Sequence, residues 1–271
     1  MPSLSVVGSV NLDLVARSDR LPRPGETITG ARFSEIPGGK GANQAVAAAR
    51  LGASVTFFAC VGRDGFAELA LAELREAGVG LDHLKTTDGP TGVALITVDA
   101  SGENVIVVAP GANDELKPAD VDLPDCDGVL CQLEIPIETV IHVADTAPGD
   151  FFLNAAPARG DVPAADVTIV NRYELDALRH RDGVIAVTLG AEGAILLEDG
   201  AEVARSEPPH VDAVDGTAAG DAFTACLVVS LLEGRDRTEA LRRACIAGAL
   251  AASRFGAQTS LPTAAEVDAL L

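Results

Sequence analysis

Two carboxylates bracket a run of very small residues in Val214-Asp215-Gly216-Thr217-Ala218-Ala219-Gly220-Asp221, and the run opens into an apolar stretch, Ala222 to Val229, that reads as a buried helix. Small residues at a helix start leave backbone N–H groups free to crowd round an anion. A carboxylate beside such an anion hole could take a proton from a hydroxyl as it attacks. Read alone, the octet also fits an Asp-capped core helix. A second cluster, Gly38-Gly39-Lys40-Gly41-Ala42-Asn43-Gln44-Ala45, leads into Val46 to Leu51 and a stop at Gly52. Its glycines give backbone freedom and close approach at a helix entry, but their order is not that of a P-loop. Lys40 either contacts a ligand or faces solvent. Its place among glycines, in a chain whose other lysines are Lys85 and Lys117, favours the ligand.

The elements that must position these clusters follow an α/β rhythm. Leu4 to Val7 reads as a buried strand ending at Gly8, which places Asn11 and Asp13 just past a strand's carboxyl end, where open parallel sheets bind ligands. An Asx-turn is the alternative. From Leu14 to Ile36 short alternating stretches, Thr27 to Thr29 and Ala31 to Ser34, predict an exposed antiparallel ribbon. Val93 to Val98 and Asn104 to Val108 predict a hairpin around Ser101-Gly102. Together the segments at about 13–37 and 91–109 are expected to form a small β lid on a single domain spanning 1–271. Further core strands are expected at Val55 to Cys60, Gly128 to Cys131, Phe151 to Asn154, Val167 to Val170 and Val184 to Leu189, with helices at Phe66 to Ala77, Arg237 to Ser253 and from Thr263. Asn11, Asp13, Glu134, Asn171 and Glu174 thus recur at strand carboxyl ends, which a shared cleft explains better than separate caps and turns.

Composition excludes several function classes. The chain of 271 residues carries 40 acids against 20 bases, a formal charge of −20. That surface repels nucleic acid and anionic lipid, so neither is an expected partner. Apolar runs such as Ala222 to Leu232 are too short or too polar to span a bilayer. The N-terminus enters a strand with no basic region, so a cytoplasmic location is expected. Cys60, Cys126, Cys131, Cys226 and Cys245 lack metal-ligand spacing and read as free thiols.

The order of motifs resembles the ribokinase-like (PfkB) family of sugar and nucleoside kinases over essentially the whole chain, with Gly38 to Ala45 as one signature and Asp215-x-Thr217-Ala218-Ala219-Gly220-Asp221 as the other. The resemblance implies a doubly wound, mainly parallel sheet flanked by helices, with a small β-sheet lid. It also implies transfer of the γ-phosphate of ATP, with Mg2+, to a sugar. Within the family, Asn11-Leu12-Asp13, Lys40 to Asn43 and Gln132-Leu133-Glu134 point to the 5-hydroxyl of D-ribose. A nucleoside, ribose 1-phosphate, deoxyribose or a keto-sugar is the alternative acceptor, and a non-catalytic sugar-binding relative a remoter one. On this resemblance Asn11, Asp13, Gly39, Lys40, Asn43 and Glu134 bind sugar hydroxyls. Asp221 is the base, and amides of Ala218, Ala219 and Gly220 form the anion hole. Asn171 and Glu174 act through water on Mg2+ and phosphate, while Thr188, Gly190 and Gly193 border the nucleotide. A monovalent cation, K+, is expected at Asp215, Thr217, Ala251, Arg254, Gly256 and Ser260, several of them through backbone carbonyls. Gly216 departs from the family's side-chain-bearing residue, Cys245 from its polar one, and the loops between Ile135 and Val170 are compact. Apolar lid residues Ile96, Val98, Ile106 and Val108 suggest a homodimer through the lid.

Acid-rich, lysine-poor composition also resembles that of proteins from salt-loving organisms, in which counter-ions screen self-repulsion. The melting temperature is expected to rise between low-salt buffer and molar KCl. An unchanged value would remove the halophilic reading.

Overall fold

The computed structural model describes residues 1–271. The chain begins in the middle of its main sheet. Strand β1 (Ser3–Val7) is followed by β2 (Asn11–Arg17), β3 (Arg32–Gly38), helix α1 (Lys40–Arg50), β4 (Ser54–Gly62), α2 (Gly65–Ala70), α3 (Ala72–Glu76) and β5 (Gly80–Thr87). Strands β6 (Gly92–Val98) and β7 (Asn104–Ala109) form the hairpin, followed by β8 (Gly128–Gln132), α4 (Ile137–Thr146), β9 (Asp150–Asn154), β10 (Val167–Asn171), α5 (Arg172–Ala177) and β11 (Val184–Thr188). The antiparallel pair β12 (Ala194–Glu198) and β13 (Ala201–Ser206) precedes α6 (Ala219–Leu232), α7 (Arg237–Ala252) and α8 (Ala264–Asp268).

Nine strands make the main sheet in the order β13-β12-β11-β10-β9-β8-β1-β4-β5, parallel from β5 to β11. The core strands read as continuous apolar runs because both faces are covered. Alternate residues enter two cores: Leu4, Val6, Phe57 and Leu130 pack with α1, α6 and α7, while Val7, Phe58, Val129 and Cys131 pack with α4. Helix α6 lies under this sheet and is buried from Asp221 to Ser230, so it lacks an amphipathic stripe. From β1 the chain winds outward through β4 to one edge and through β8 to the other, which makes the carboxyl ends of β1 and β8 the switch point of the sheet. No helix is long and apolar enough to cross a membrane.

A separate four-stranded sheet, β3-β2-β6-β7, stands beside those carboxyl ends. The hairpin expected around Ser101-Gly102 is β6–β7. The ribbon expected from Leu14 to Ile36 differs. Thr27 to Thr29 form no strand, and the partner of β3 is Asn11–Arg17, in antiparallel register from Asn11↔Gly38 to Arg17↔Arg32. Strand β2 then pairs β6 in parallel and so joins the two pieces. Asn11 and Asp13 are therefore strand residues rather than an Asx-turn. With Val15 and Arg17 they line one face at period two, a pattern hidden by polar residues where an apolar alternation is normally sought. The helix expected over Phe66 to Ala77 breaks at Leu71 into α2 and α3, between the Asp64 cap, which accepts from the Ala67 amide at 3.0 Å, and Gly78.

Candidate active site

Close backbone approach builds the site. Gly39 sits at φ +89, and a Cβ there would meet the Asn11 amide at 2.7 Å; a Cβ on Gly41 would collide with the backbone of Gly8 and Ser9. The first turn of α1 therefore lies against the loop leaving β1, where the Ala42 amide donates to the Ser9 carbonyl at 2.9 Å. No side chain of α1's own N-cap residue closes the helix. Glu134, just past β8, does so instead: its Oε2 accepts from the Lys40 amide at 3.0 Å and from Ser9 Oγ at 2.6 Å. The carboxylate thus clamps the two sides of the switch point together, and its other oxygen takes no protein donor.

Two cavities meet here. The larger, about 450 Å³, is lined by Asn11, Asp13, Gly39, Asn43 and Glu134 together with Asp215, Thr217 and Gly256. The smaller, about 190 Å³, is lined by Asn154, Asn171, Glu174, Thr188, Gly220 and Thr224. Lys40, Gly216, Ala218 and Asp221 line both, so Asp221 stands at the junction. Its Oδ2 accepts from Asn43 Nδ2 at 2.9 Å and its Oδ1 from Gln44 Nε2 at 2.8 Å. Burial drives the Asp221 carboxyl upward from its ordinary range, opposed by the Lys40 charge and by those two amide donors.

Lys40 is the ammonium among these acids. Burial works to lower its pKa, but Asp221, Glu134 and Glu174 outweigh burial and hold it above its ordinary value. Asp13 has no such donor beside it. Burial, then the charges of Glu134 and Asp221, push it up to about 7. Glu174 is raised mainly by burial, against the Asn171 amide and Lys40.

The start of α6 leaves donors exposed. Ala218 adopts φ +59, the N-cap makes no side-chain hydrogen bond, and the Ala219 amide reaches only the Gly216 carbonyl, at 3.3 Å. The amides of Ala218 and Gly220 have no backbone acceptor, as the first turn of a helix requires. Gly216 has an ordinary backbone, and a Cβ there would meet nothing within 4 Å. Gly216, which departs from the family's side-chain-bearing residue, is thus a place where a side chain is missing, with no conformational need for glycine.

The remaining expected positions separate into groups. Asn171 and Glu174 form a reciprocal capping box on α5, Asn171 Oδ1 accepting from the Glu174 amide at 2.9 Å and Glu174 Oε2 from the Asn171 amide at 2.7 Å. This leaves Glu174 Oε1 for the cavity. Thr188 lines that cavity, whereas Gly190 and Gly193 do not. Gly193, at φ +90, is instead required by contact with the Ser206 backbone. Asp215 Oδ1 accepts from the Thr217 amide and hydroxyl at 3.0 and 2.6 Å, and its Oδ2 from the Gly256 amide at 3.2 Å. Asp215, Thr217 and Gly256 therefore converge. The side chains of Arg254 and Ser260 are turned elsewhere, to Glu266 and to the Ala257 carbonyl, and the Ala251 carbonyl accepts from the Arg254 amide. These three can contribute only backbone oxygens. No group of three or more His, Cys, Asp or Glu side chains is placed to hold a metal ion unaided.

Several site residues had no role in the sequence reading. Asn113 holds the Val10 backbone at both its N–H and its carbonyl and donates to Asn11 Oδ1 at 2.8 Å, which leaves the Asn11 amino group to face the cavity. Gln44, Gln132 and Asn154 form a buried amide chain to Asp221. Arg17, at the end of β2, lies 4.0 Å from Asp215 and stacks over Phe255 at 4.4 Å.

Comparison with known proteins agrees with this fold. The pfkB family of carbohydrate kinases matches residues 1–264. The chain is 39% identical to a ribokinase of Bacillus subtilis strain 168, over 100% of both chains. It superposes on the crystal structure of a ribokinase from Thermotoga maritima with a TM-score of 0.90 at 33% identity, covering 99% of each chain. A ribokinase of Arabidopsis thaliana, solved in complex with ribose and ATP, superposes with a TM-score of 0.87 at 30% identity, covering 99% of this chain and 98% of that one.

Asp13 gives the site a stability signature. An Asp with a folded-state pKa near 7 against 3.8 is protonated in both states below about 3.8; stability falls as pH rises from there, and the loss is complete once the folded carboxyl ionises near 7. Without ligands, Asp13→Asn is expected to melt higher than wild type at pH 8, by on the order of 5 °C, with the difference closing by pH 4. Thermal scans across that range check it; equal melting at pH 8 contradicts the placement of Asp13.

Proposed function

The chain belongs to the PfkB family of carbohydrate kinases and is an ATP-dependent sugar kinase, and on that premise we propose that it transfers the γ-phosphate of ATP to the 5-hydroxyl of D-ribose. The observation that carries this reading is Asp221 at the junction of the two cavities. The larger holds the sugar. Asp13 and Glu134 accept from its hydroxyls, the Asn11 and Asn43 side chains and the Gly39 backbone complete the cradle, and Lys40 offsets the acids. The smaller holds the transferred phosphate beside Glu174 and Asn171, with Thr188 at its border, and Gly190 and Gly193 shape the turn that follows on the nucleotide side. The ribose identity rests on the ribokinase relatives together with this polar cradle.

In the proposed step Asp221 takes the proton of the 5-hydroxyl as its oxygen attacks phosphorus. The new O–P bond forms while the bond to the leaving ADP oxygen breaks. Positioning and charge stabilisation do most of this work. The amides of Ala218 and Gly220, with the weakly engaged amide of Ala219, receive the charge on the phosphoryl oxygens. Glu174 Oε1 fits a water-mediated Mg2+ site, and Mg2+ supplies neutralisation of the phosphate charge. A monovalent cation such as K+ fits beside Asp215, where a carboxylate and the carbonyl-rich turns at 251–256 and 260 offer hard oxygen donors. Bound there, it would order the loop carrying the anion hole. The four-stranded sheet acts as a lid that excludes water.

That sheet also suits a homodimer. Strand β7 is one of its two edges, and Val105, Ile106, Val107 and Val108 are 55, 51, 58 and 49% exposed, an uncharged apolar edge of the kind that pairs with a second copy.

Ribose is expected to be the preferred acceptor in an ATP-consumption screen that includes deoxyribose, fructose, ribose 1-phosphate and nucleosides. Asp221→Asn is expected to lose at least about a thousandfold in kcat; comparable turnover by that variant would overturn the assignment. Sedimentation at micromolar concentration is expected to show a dimer, and a monomer throughout rejects pairing through the sheet.

A further inference from the structure

The amide that reaches Asp221 Oδ1 belongs to a directional chain. Gln44 and Gln132 are fully buried and Asn154 is 8% exposed. Asn154, at the end of β9, donates from Nδ2 to the Ile169 backbone carbonyl on β10 at 3.2 Å. A backbone carbonyl only accepts, so the Asn154 amino group must face it and Asn154 Oδ1 is left as an acceptor. It takes one N–H of Gln44 at 2.9 Å, and the other N–H of Gln44 goes to Asp221 at 2.8 Å. Gln44 Oε1 in turn accepts from Gln132 Nε2 at 2.7 Å. Turning the Gln44 amide over would set its carbonyl against two acceptors at once. The far end of the chain bears the cost, since Gln132 Oε1 is buried without a partner. Within this chain of amides the unmet hydrogen bond lies at Gln132, with Gln44 between it and Asp221.

We propose that Gln44 is a positioning residue for proton transfer, and that the Ile169 carbonyl, acting through Asn154, dictates that Gln44 presents an N–H donor to Asp221. The proposal rests on the reading of Asp221 as general base. Two consecutive residues of α1, Asn43 and Gln44, then hold one carboxylate oxygen each and fix the plane of the group. The charged groups around Asp221 are Lys40 on α1, Asp13 on β2, Glu134 after β8 and Glu174 on α5. Burial and Glu134 oppose ionisation of Asp221, and Lys40, Asn43 and Gln44 favour it. Losing the Gln44 donor therefore raises the pH at which the base becomes available.

The test compares Gln44→Met, Gln44→Glu and Asn154→Leu with wild type and Asp221→Asn, using kcat, sugar KM and the pH profile of kcat. Gln44→Met keeps the volume and removes the donor. It is expected to lower kcat by roughly ten- to a hundredfold, as for other groups that orient a reacting residue, to leave sugar KM within about threefold, and to move the acid limb to higher pH. Gln44→Glu, closer in shape but an acceptor when ionised, is expected to fall below Gln44→Met at pH 8 and to recover as pH drops. A role in packing alone would rank Glu level with Met or above it and leave the acid limb in place, and that result overturns the proposal. Asn154→Leu frees the Gln44 amide to turn and is expected to shift the acid limb in the same direction by less. Should melting curves show Gln44→Met unfolded, an unmoved limb in Asn154→Leu overturns the proposal by itself. Turnover by Asp221→Asn at the wild-type rate would bring down the base assignment. An inactive Asp221→Asn beside Gln44 variants of unaltered rate and profile brings down only the role of Gln44.

Discussion

The cleft depends on one ammonium among several acids. Asp13, Glu134, Glu174 and Asp221 all act on this cleft, and Lys40 is the only cation whose charge reaches Asp221, Glu134 and Glu174 together. Charges brought so close in a poorly hydrated space must be compensated or neutralised. The protein uses three devices. Glu134 gives one oxygen to a helix N-terminus, Asp221 receives two side-chain amides, and Asp13, which has neither, gives up its charge near neutrality. The unpaired amides at the start of α6 add positive potential beside Asp221 without adding a titratable group.

The sheet's topology explains why those residues meet. Because β1 lies inside the sheet and the chain leaves it in both directions, loops distant in sequence (8–10, 38–40, 133–134, 154–156) are forced to share one end of the sheet. A carboxyl-end cleft is then a geometric consequence of the winding. The glycines at 39 and 41 turn that proximity into contact by removing the Cβ atoms that would hold α1 away from β1.

Where the type of residue bears directly on chemistry, the placement of the candidate site was legible in the chain. Asp221 behind its run of small residues, the Gly38–Asn43 turn and the Asn171–Glu174 pair all sit where the strand pattern puts them, the last because a capping box is a local signal. The parts that were not legible depend on distant partners. Asn11 and Asp13 sit in a strand whose pairing with β6 bridges a long stretch of chain, and nothing local announces it. Asn113, Gln132 and Asn154 matter through hydrogen bonds to residues far away in sequence, and an amide in an apolar strand gives no hint of its partner. One edge of the main sheet was less legible for a related reason: β12 is only five residues long, β13 is polar and mostly exposed, and both take their structure from pairing outward from β11.

The proposed sugar cradle is divided between two bodies. Asn11 and Asp13 belong to the small sheet, Lys40 and Asn43 to the first turn of α1, and the seam between them runs through Gly8 to Val10 and Gly38 to Gly39. On the proposed function, a sugar gripped from both sides would be a rivet through that seam. Swinging the small sheet away and letting go of the sugar would then be a single event, so the time for which the phosphate is shielded from water and the residence time of the sugar would keep one clock.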